Sequence, residues 1–251
     1  MLEYDHLLII AKDATRKALQ SLAIMNVSSS SYAFCDELPR EMKSTADGGL
    51  EEIILGCLLP TRLPILSEEV GELGVANMDG LRWVVDPLDG TVNLMRRLAP
   101  CAVSIALCRG NSPVFGVIGQ YPDCTLAWGG RSFGAFIEEF PIHVSTIQDK
   151  AKAVLCTGFP SRFEFTDRSG LEFIRLVSSY AKVRMFGAAS LSLLNVAKGS
   201  ADFYAEQNIM IWDVAAGLAI VEGAGGSVRV LPGQHQYSHN VAASNGILQF
   251  D

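Results

Sequence analysis

The chain has 251 residues, of which 49% are apolar and 19% charged, with a formal net charge of -7. That balance specifies a globular protein with a sizeable core and excludes a disordered polymer. The acidic excess, with no cluster of Lys and Arg, also excludes a broad face for a nucleic acid polymer, so a phosphorylated ligand here would draw its positive charge from bound metal.

Residues Glu3, Asp5 and His6 precede a short apolar run, 7–11, that lacks the basic start and the length of a signal peptide. No apolar stretch approaches the length of a membrane span. The six cysteines, Cys35, Cys57, Cys101, Cys108, Cys124 and Cys156, form no CxxC pair and read as buried thiols. A reducing, cytoplasmic location follows, in which the Asn26-Val27-Ser28 glycosylation sequon is idle.

Leu7, Leu8, Ala11, Ala14, Ala18, Leu19 and Leu22 recur at helical spacing, so the chain opens with an amphipathic helix. After a polar break at 28–31, Asp47 stands near the start of a second helical pattern, which Pro60 stops. Two short apolar strands follow, 64–66 and 81–85. They deliver Glu68-Glu69 and Asp86-Pro87-Leu88-Asp89-Gly90 at their C-terminal ends, and Thr91 can open a helix. Runs at 102–107, 114–121, 125–128 and 134–137, separated by turn residues, read as an antiparallel meander. Beyond Ser145 strands alternate with helices, and a last helix spans 214–222 before the glycine cluster 223–226.

Asp86 and Asp89 lie three residues apart around a stiff Pro87, an arrangement that lets both carboxylates share a hard cation, with the Leu88 carbonyl as a further oxygen. Gly90 permits close backbone approach to a ligand, and the free N–H groups of a helix opening at Thr91 suit an anion. Each piece has a bland alternative: a surface turn at 86–90, a solvated pair at 68–69, a helix-capping Asp213.

Taken together, Ser44-x-x-Asp47-x-x-x-Glu51, Glu68-Glu69, Asp86-Pro87-x-Asp89-Gly90-Thr91-x-Asn93, Trp212-Asp213-x-Ala215-Ala216-Gly217 and Ala224-Gly225-Gly226 resemble the inositol monophosphatase family over roughly residues 7–245. The resemblance implies an α+β / α/β protein, a layered αβαβα sandwich of the inositol monophosphatase / fructose-1,6-bisphosphatase type. Its N-terminal half (1–145) would carry most metal ligands, and its C-terminal half (146–251) Asp213 and substrate contacts.

By the same resemblance, Glu68, Asp86 and the Leu88 carbonyl would hold a first Mg2+ and Asp86, Asp89 and Asp213 a second. Glu68 would help hold a third, giving two or three ions per site. Asp47 and Thr91 would orient and activate the attacking water, with Glu68, Asp47 and Thr91 as the catalytic set. Asp89, Gly90, Thr91, Gly187, Ala188, Ala189, Glu206 and Asp213 would contact the substrate, Gly90 and Thr91 through backbone amides on the phosphate. The implied activity is hydrolysis of a small phosphorylated metabolite, an inositol monophosphate or related sugar phosphate, by metal-activated water. Lithium sensitivity and a homodimer belong to the same implication, with no membrane and no nucleic acid polymer as partner. A sugar bisphosphate or nucleotide 3'-phosphate substrate, and a catalytically idle member that binds an anion or a partner, stay open beside it.

Departures from the family pattern fall at Arg96-Arg97, Ala188, Gly223 and Glu138-Glu139, none of which is an implied metal ligand. Arg96 and Arg97 read as solvated, and His235 and His239, in a Pro232-Gly233 loop, as surface histidines.

Overall fold

The computed structural model describes residues 4–25, 32–34, 42–75, 79–98, 100–161 and 163–250. In chain order the elements are α1 (Asp5–Ile24), β1 (Tyr32–Phe34), β2 (Met42–Ser44), α2 (Thr45–Leu58), β3 (Ile65–Ser67), β4 (Gly71–Leu73), β5 (Leu81–Asp89) and α3 (Thr91–Arg96). The meander follows as β6 (Cys101–Arg109), β7 (Ser112–Tyr121), β8 (Thr125–Gly130), β9 (Gly134–Ile137) and β10 (Phe140–Pro141). The rest of the chain gives β11 (Val154–Thr157), α4 (Asp167–Ser178), β12 (Lys182–Arg184), α5 (Ala189–Ala197), β13 (Phe203–Met210), α6 (Ile211–Gly223), β14 (Ser227–Pro232) and β15 (Ser238–Ser244).

An eight-stranded sheet runs in the order β10-β9-β8-β7-β6-β5-β3-β4, and a five-stranded sheet in the order β12-β11-β13-β15-β14. The first is antiparallel except at β3 and β5, which run parallel; the second is parallel at β12-β11-β13 and antiparallel beyond. Helices α1 and α2 cover one face of the large sheet. Their apolar stripe, Leu7 to Leu22 with Leu50, Ile54 and Leu58, packs on Trp83, Val85, Ile105 and Phe115. Between the sheets lie α5 and α6, sharing a core with Leu66, Val84, Ala106, Ile118, Cys156 and Tyr204. Helix α4 lies outermost, reaching the outer face of the small sheet through Leu176 and Val177. The layers are thus αβαβα.

Helix α6 is buried along nearly its whole length, Ile211 and then Val214 to Val221. Fully burying each Val, Leu or Ile side chain is worth about 1.5–3 kcal/mol, so this helix needs apolar residues all round. The carboxylate of Asp213 in its first turn is therefore an exception that asks for a reason.

Several elements differ from the expectations above. Helix α6 begins three residues before 214, which brings Trp212 and Asp213 into its first turn. The short strands β4 and β10 carry no alternating pattern that would signal them in the sequence. Cys101, Cys108 and Cys156 are buried thiols, but Cys57 is half-buried and Cys124 exposed, because Cys124 sits in the β7–β8 turn at φ 53. Cys35 and the Asn26-Val27-Ser28 sequon lie outside the described residues. No described helix is long and apolar enough to cross a membrane.

Candidate active site

Strand β3 runs parallel to β5, and its pairing continues past its end, where the Glu68 N–H donates to the Val85 carbonyl at 3.1 Å. That bond sets Glu68 beside the last residues of β5. The turn beyond is braced from below by Glu51 of α2, whose buried Oε1 accepts from the Ser67 hydroxyl at 2.5 Å and the Val70 N–H at 3.1 Å.

Strand β5 does not end cleanly. Its register against β6 shifts by one residue between Asp86, opposite Ser104, and Asp89, opposite Ala102. The extra residue is a β-bulge, and such bulges re-aim side chains at sites. Within it the Leu88 N–H donates to Asp86 Oδ1 at 2.9 Å, while the Leu88 carbonyl accepts from Thr91 Oγ1 at 3.0 Å.

Gly90 then takes φ 88, a left-handed conformation that favours glycine. A Cβ there would stand 3.3 Å from both the Ala188 and Cys101 Cβ atoms and 3.4 Å from the Gly187 carbonyl, so the glycine lets β5 close onto the 187–189 segment. Asn93 clasps the same segment by donating to the Phe186 carbonyl at 2.7 Å.

Helix α6 brings in Asp213 from more than a hundred residues away, after a second bulge between Glu206 and Ile209 in β13. Carboxylate oxygens of Glu68, Asp86 and Asp213 all lie within 4.8 Å of one another. Asp89 faces the start of α5. Its Oδ2 accepts from the Ser190 N–H at 2.8 Å and from the Ser190 hydroxyl, and its Oδ1 from the Ala189 N–H at 3.3 Å. Thr91 Oγ1 reaches Asp47 Oδ1 at 3.1 Å.

Burial drives the electrostatics. Asp86, 1% exposed, has its carboxyl pushed well above the usual carboxylate range by burial first, then by the charges of Glu68, Asp89 and Asp213. Asp213 is pushed up by burial, then by Glu68, Asp89 and Glu206. Burial lifts Asp89 to about 6 against the opposing pull of its bonds from Ser190 and Ala189. Glu206 rises to about 8, by burial and then by the charge of Asp89. Carboxylates crowded into a low-dielectric pocket repel one another, and a hard divalent cation is what reverses that sign. The oxygen-only donor set of Glu68, Asp86 and Asp213 fits a hard divalent cation.

Of the residues expected from the sequence, the structure thus brings together Glu68, Asp86, Asp213, Leu88, Asp47, Thr91, Gly90 and the Gly187-Ala188-Ala189 segment. Asp89 is beside them but bonded to α5, and Glu206 feels the charge of Asp89. Arg96 and Arg97 are exposed, and the His239 ring contacts the nearby Tyr237 carbonyl through Nδ1. Three contributors are absent from that expected set: Ser190, Tyr204 and the bracing role of Glu51. Ser190 ends the 187–190 segment that the sequence matches to the pocket lining, but its bonds to Asp89, and the place of Tyr204, follow only from the fold.

These features define a layered αβαβα protein with an acidic, cation-ready pocket at the ends of its strands. The model of the inositol monophosphatase family matches residues 8–249. The chain is 36% identical over 258 residues to the Nus factor SuhB of Pasteurella multocida, covering 97% of this chain and 93% of that one. It is 38% identical over 192 residues to an inositol-1-monophosphatase of Synechocystis, covering 75% and 66%. Among solved structures, the extragenic suppressor protein suhB of Bartonella henselae superposes with a TM-score of 0.85 at 31% identity, over 97% of this chain and 95% of that one. The inositol monophosphatase of Anabaena gives 0.79 at 32% identity, over 96% and 91%. The chain belongs to the inositol monophosphatase family.

Proposed function

We propose that the protein is a magnesium-dependent phosphatase that hydrolyses a small phosphate monoester, an inositol monophosphate or a related sugar phosphate. One observation carries the reading: three carboxylates from positions 68, 86 and 213 converge within 4.8 Å in a pocket where burial makes their mutual charge costly. A bare carboxylate cluster of that kind is hard to account for except as a cation cage.

Glu68, Asp86 and the Leu88 carbonyl would hold one ion and Asp86, Asp89 and Asp213 a second, with Glu68 helping to hold a third. Asp89 retains capacity for this. A carboxylate offers about four lone-pair sites, and bonds from Ser190 N–H, Ser190 Oγ and Ala189 N–H leave one free, on Oδ1. Magnesium, when bound, supplies charge neutralisation for the phosphate dianion and a water that is nucleophilic at neutral pH.

The chain's own groups do the rest. With its single hydroxyl proton turned from the Leu88 carbonyl to Asp47, Thr91 presents its oxygen lone pairs to the attacking water, takes that water's proton and passes its own to Asp47. The Gly90 and Thr91 N–H groups, unused by helical bonds, hold the phosphate oxygens. Glu206 and the 187–189 backbone face the alcohol portion. The reading includes residues 1–145 and 146–251 as the two halves that form the pocket, a cytoplasmic homodimer, and inhibition by lithium at one cation position.

A second reading has one observation in its favour: the relative from Pasteurella multocida is named a Nus factor, not an enzyme. On that reading the chain is an idle family member that binds an anion or a partner. Phosphate release from a panel of inositol, sugar, sugar-bisphosphate and nucleotide 3'-phosphates, with magnesium present, tests both. Turnover of a monoester supports the phosphatase, and no turnover across the panel overturns it.

A further inference from the structure

Tyr204 lies on β13 two residues before Glu206, so both side chains leave the same face of the strand. It is fully buried in the core between the sheets, among the largest side chains there. Its hydroxyl has no hydrogen-bond partner of normal geometry, although it stands against the Glu206 carboxylate and within reach of the charges of Asp213 and Asp89. Leaving a hydroxyl unpaired in the interior costs about 1–3 kcal/mol. Phenylalanine would fill the same volume without that cost, so the oxygen needs an explanation.

The three nearby carboxylates are not equally in need of a donor. Asp89 has Ser190 and Ala189, and the Met210 backbone, just before α6, pulls the Asp213 carboxyl back down. Glu206 has no other donor among the described residues. It is also seated closely: a Cβ on Gly158, the residue after β11, would lie 2.8 Å from Glu206 Oε1 and 3.2 Å from its Cδ. Glycine at 158 clears a place for the carboxylate, and Tyr204 stands behind it.

We propose that Tyr204 is a positioning residue for substrate recognition: its hydroxyl, near the Glu206 carboxylate but not bonded to it in this structure, turns to donate to that carboxylate when a polyol phosphate binds, holding it over Gly158 to accept from a hydroxyl of the alcohol portion of the substrate. The inference rests on the phosphatase reading above and adds to it the group that sets preference for hydroxyl-rich phosphate esters. No bond to phosphorus involves Tyr204. Its removal therefore weakens binding of a polyol phosphate and leaves the hydrolytic step intact.

The test compares wild type with Tyr204→Phe on inositol 1-phosphate and on p-nitrophenyl phosphate, which lacks a hydroxyl next to its ester. The expected result is a KM for inositol 1-phosphate raised about tenfold, the worth of one hydrogen bond to a charged acceptor, with kcat within twofold and both constants unchanged for p-nitrophenyl phosphate. Equal losses on both substrates, or no loss on either, overturn the proposal and assign the hydroxyl to the core. Gly158→Ala, which displaces the Glu206 carboxylate without touching Tyr204, is expected to give the same substrate-selective rise in KM. If Tyr204→Phe fails to fold, the Gly158→Ala result decides: a selective rise supports the seat, an unchanged KM overturns it. A wild-type chain that turns over neither ester removes the phosphatase reading and this inference together, an outcome distinct from all of these.

Discussion

Ser190 gives both its backbone N–H and its hydroxyl to a single oxygen of Asp89, 101 residues away in the chain. The bond pair joins the end of β5 to the start of α5 and fixes which Asp89 oxygen stays available for a cation. Such outer partners typically contribute about 10–100-fold to metal affinity. Ser190→Ala is expected to weaken magnesium binding by about tenfold, measured by calorimetric titration. Because the Ser190 hydroxyl bond helps hold the Asp89 carboxyl down, its loss moves that carboxyl upward from about 6 while the backbone N–H bond stays, and the deficit is expected to be larger at pH 6 than at pH 8.

Asp86, Asp89, Asp213 and Glu206 all have folded-state values raised above their ordinary ones. A raised carboxyl binds more protons folded than unfolded, so stability falls as pH rises from the ordinary carboxylate value through the folded one. For Asp89 that window runs from 3.8 to about 6, and for Glu206 from 4.5 to about 8. The metal-free protein is expected to lose thermal stability between pH 5 and pH 8. Magnesium is expected to raise Tm by more at pH 8 than at pH 5, as differential scanning calorimetry can show. A metal-free Tm that climbs across that range contradicts the electrostatic picture.

Glu51 braces the turn that carries Glu68 through two bonds to one buried oxygen. Glu51→Ala strands the Ser67 hydroxyl and the Val70 N–H, and is expected to cost about 3 kcal/mol in urea unfolding. It should also weaken magnesium binding. Glu51→Gln, which keeps an acceptor in place, is expected to recover most of both.

Thr91→Val removes the hydroxyl between Asp47 and the Leu88 carbonyl with little change in volume. Loss of a group that relays the proton of the attacking water is expected to lower kcat by about 10²–10⁴. Circular dichroism and the substrate KM should change little. A large rise in KM with kcat intact would recast Thr91 as a binding group only.

Much of the fold and site is legible in the sequence because it is local. The helical stripe of α1, the meander and the Asp86-Pro87-Leu88-Asp89-Gly90-Thr91 turn are each written in short stretches of chain, and the wide spacing of the carboxylate motifs carries the family resemblance. What stays hidden is relational. Ser190 is an ordinary helix residue until α5 docks on β5. Tyr204 is one apolar-looking strand residue until β11 presents Gly158 beside Glu206. The bulge at 86–89 arises from pairing with β6, which no pattern within β5 reveals. Cys124 misleads for the opposite reason: its thiol is apolar in type, but the turn holds it outward.

Phosphate release from inositol 1-phosphate, followed against magnesium concentration for wild type and Asp213→Asn, bears most directly on the carboxylate cluster. The wild-type chain should be silent without the ion and saturate as it is added, while the Asn variant, folded by circular dichroism, should lose at least about a hundredfold in rate at equal magnesium. Wild-type turnover that ignores magnesium, or a variant that matches it, would show that Glu68, Asp86 and Asp213 gather for some other purpose.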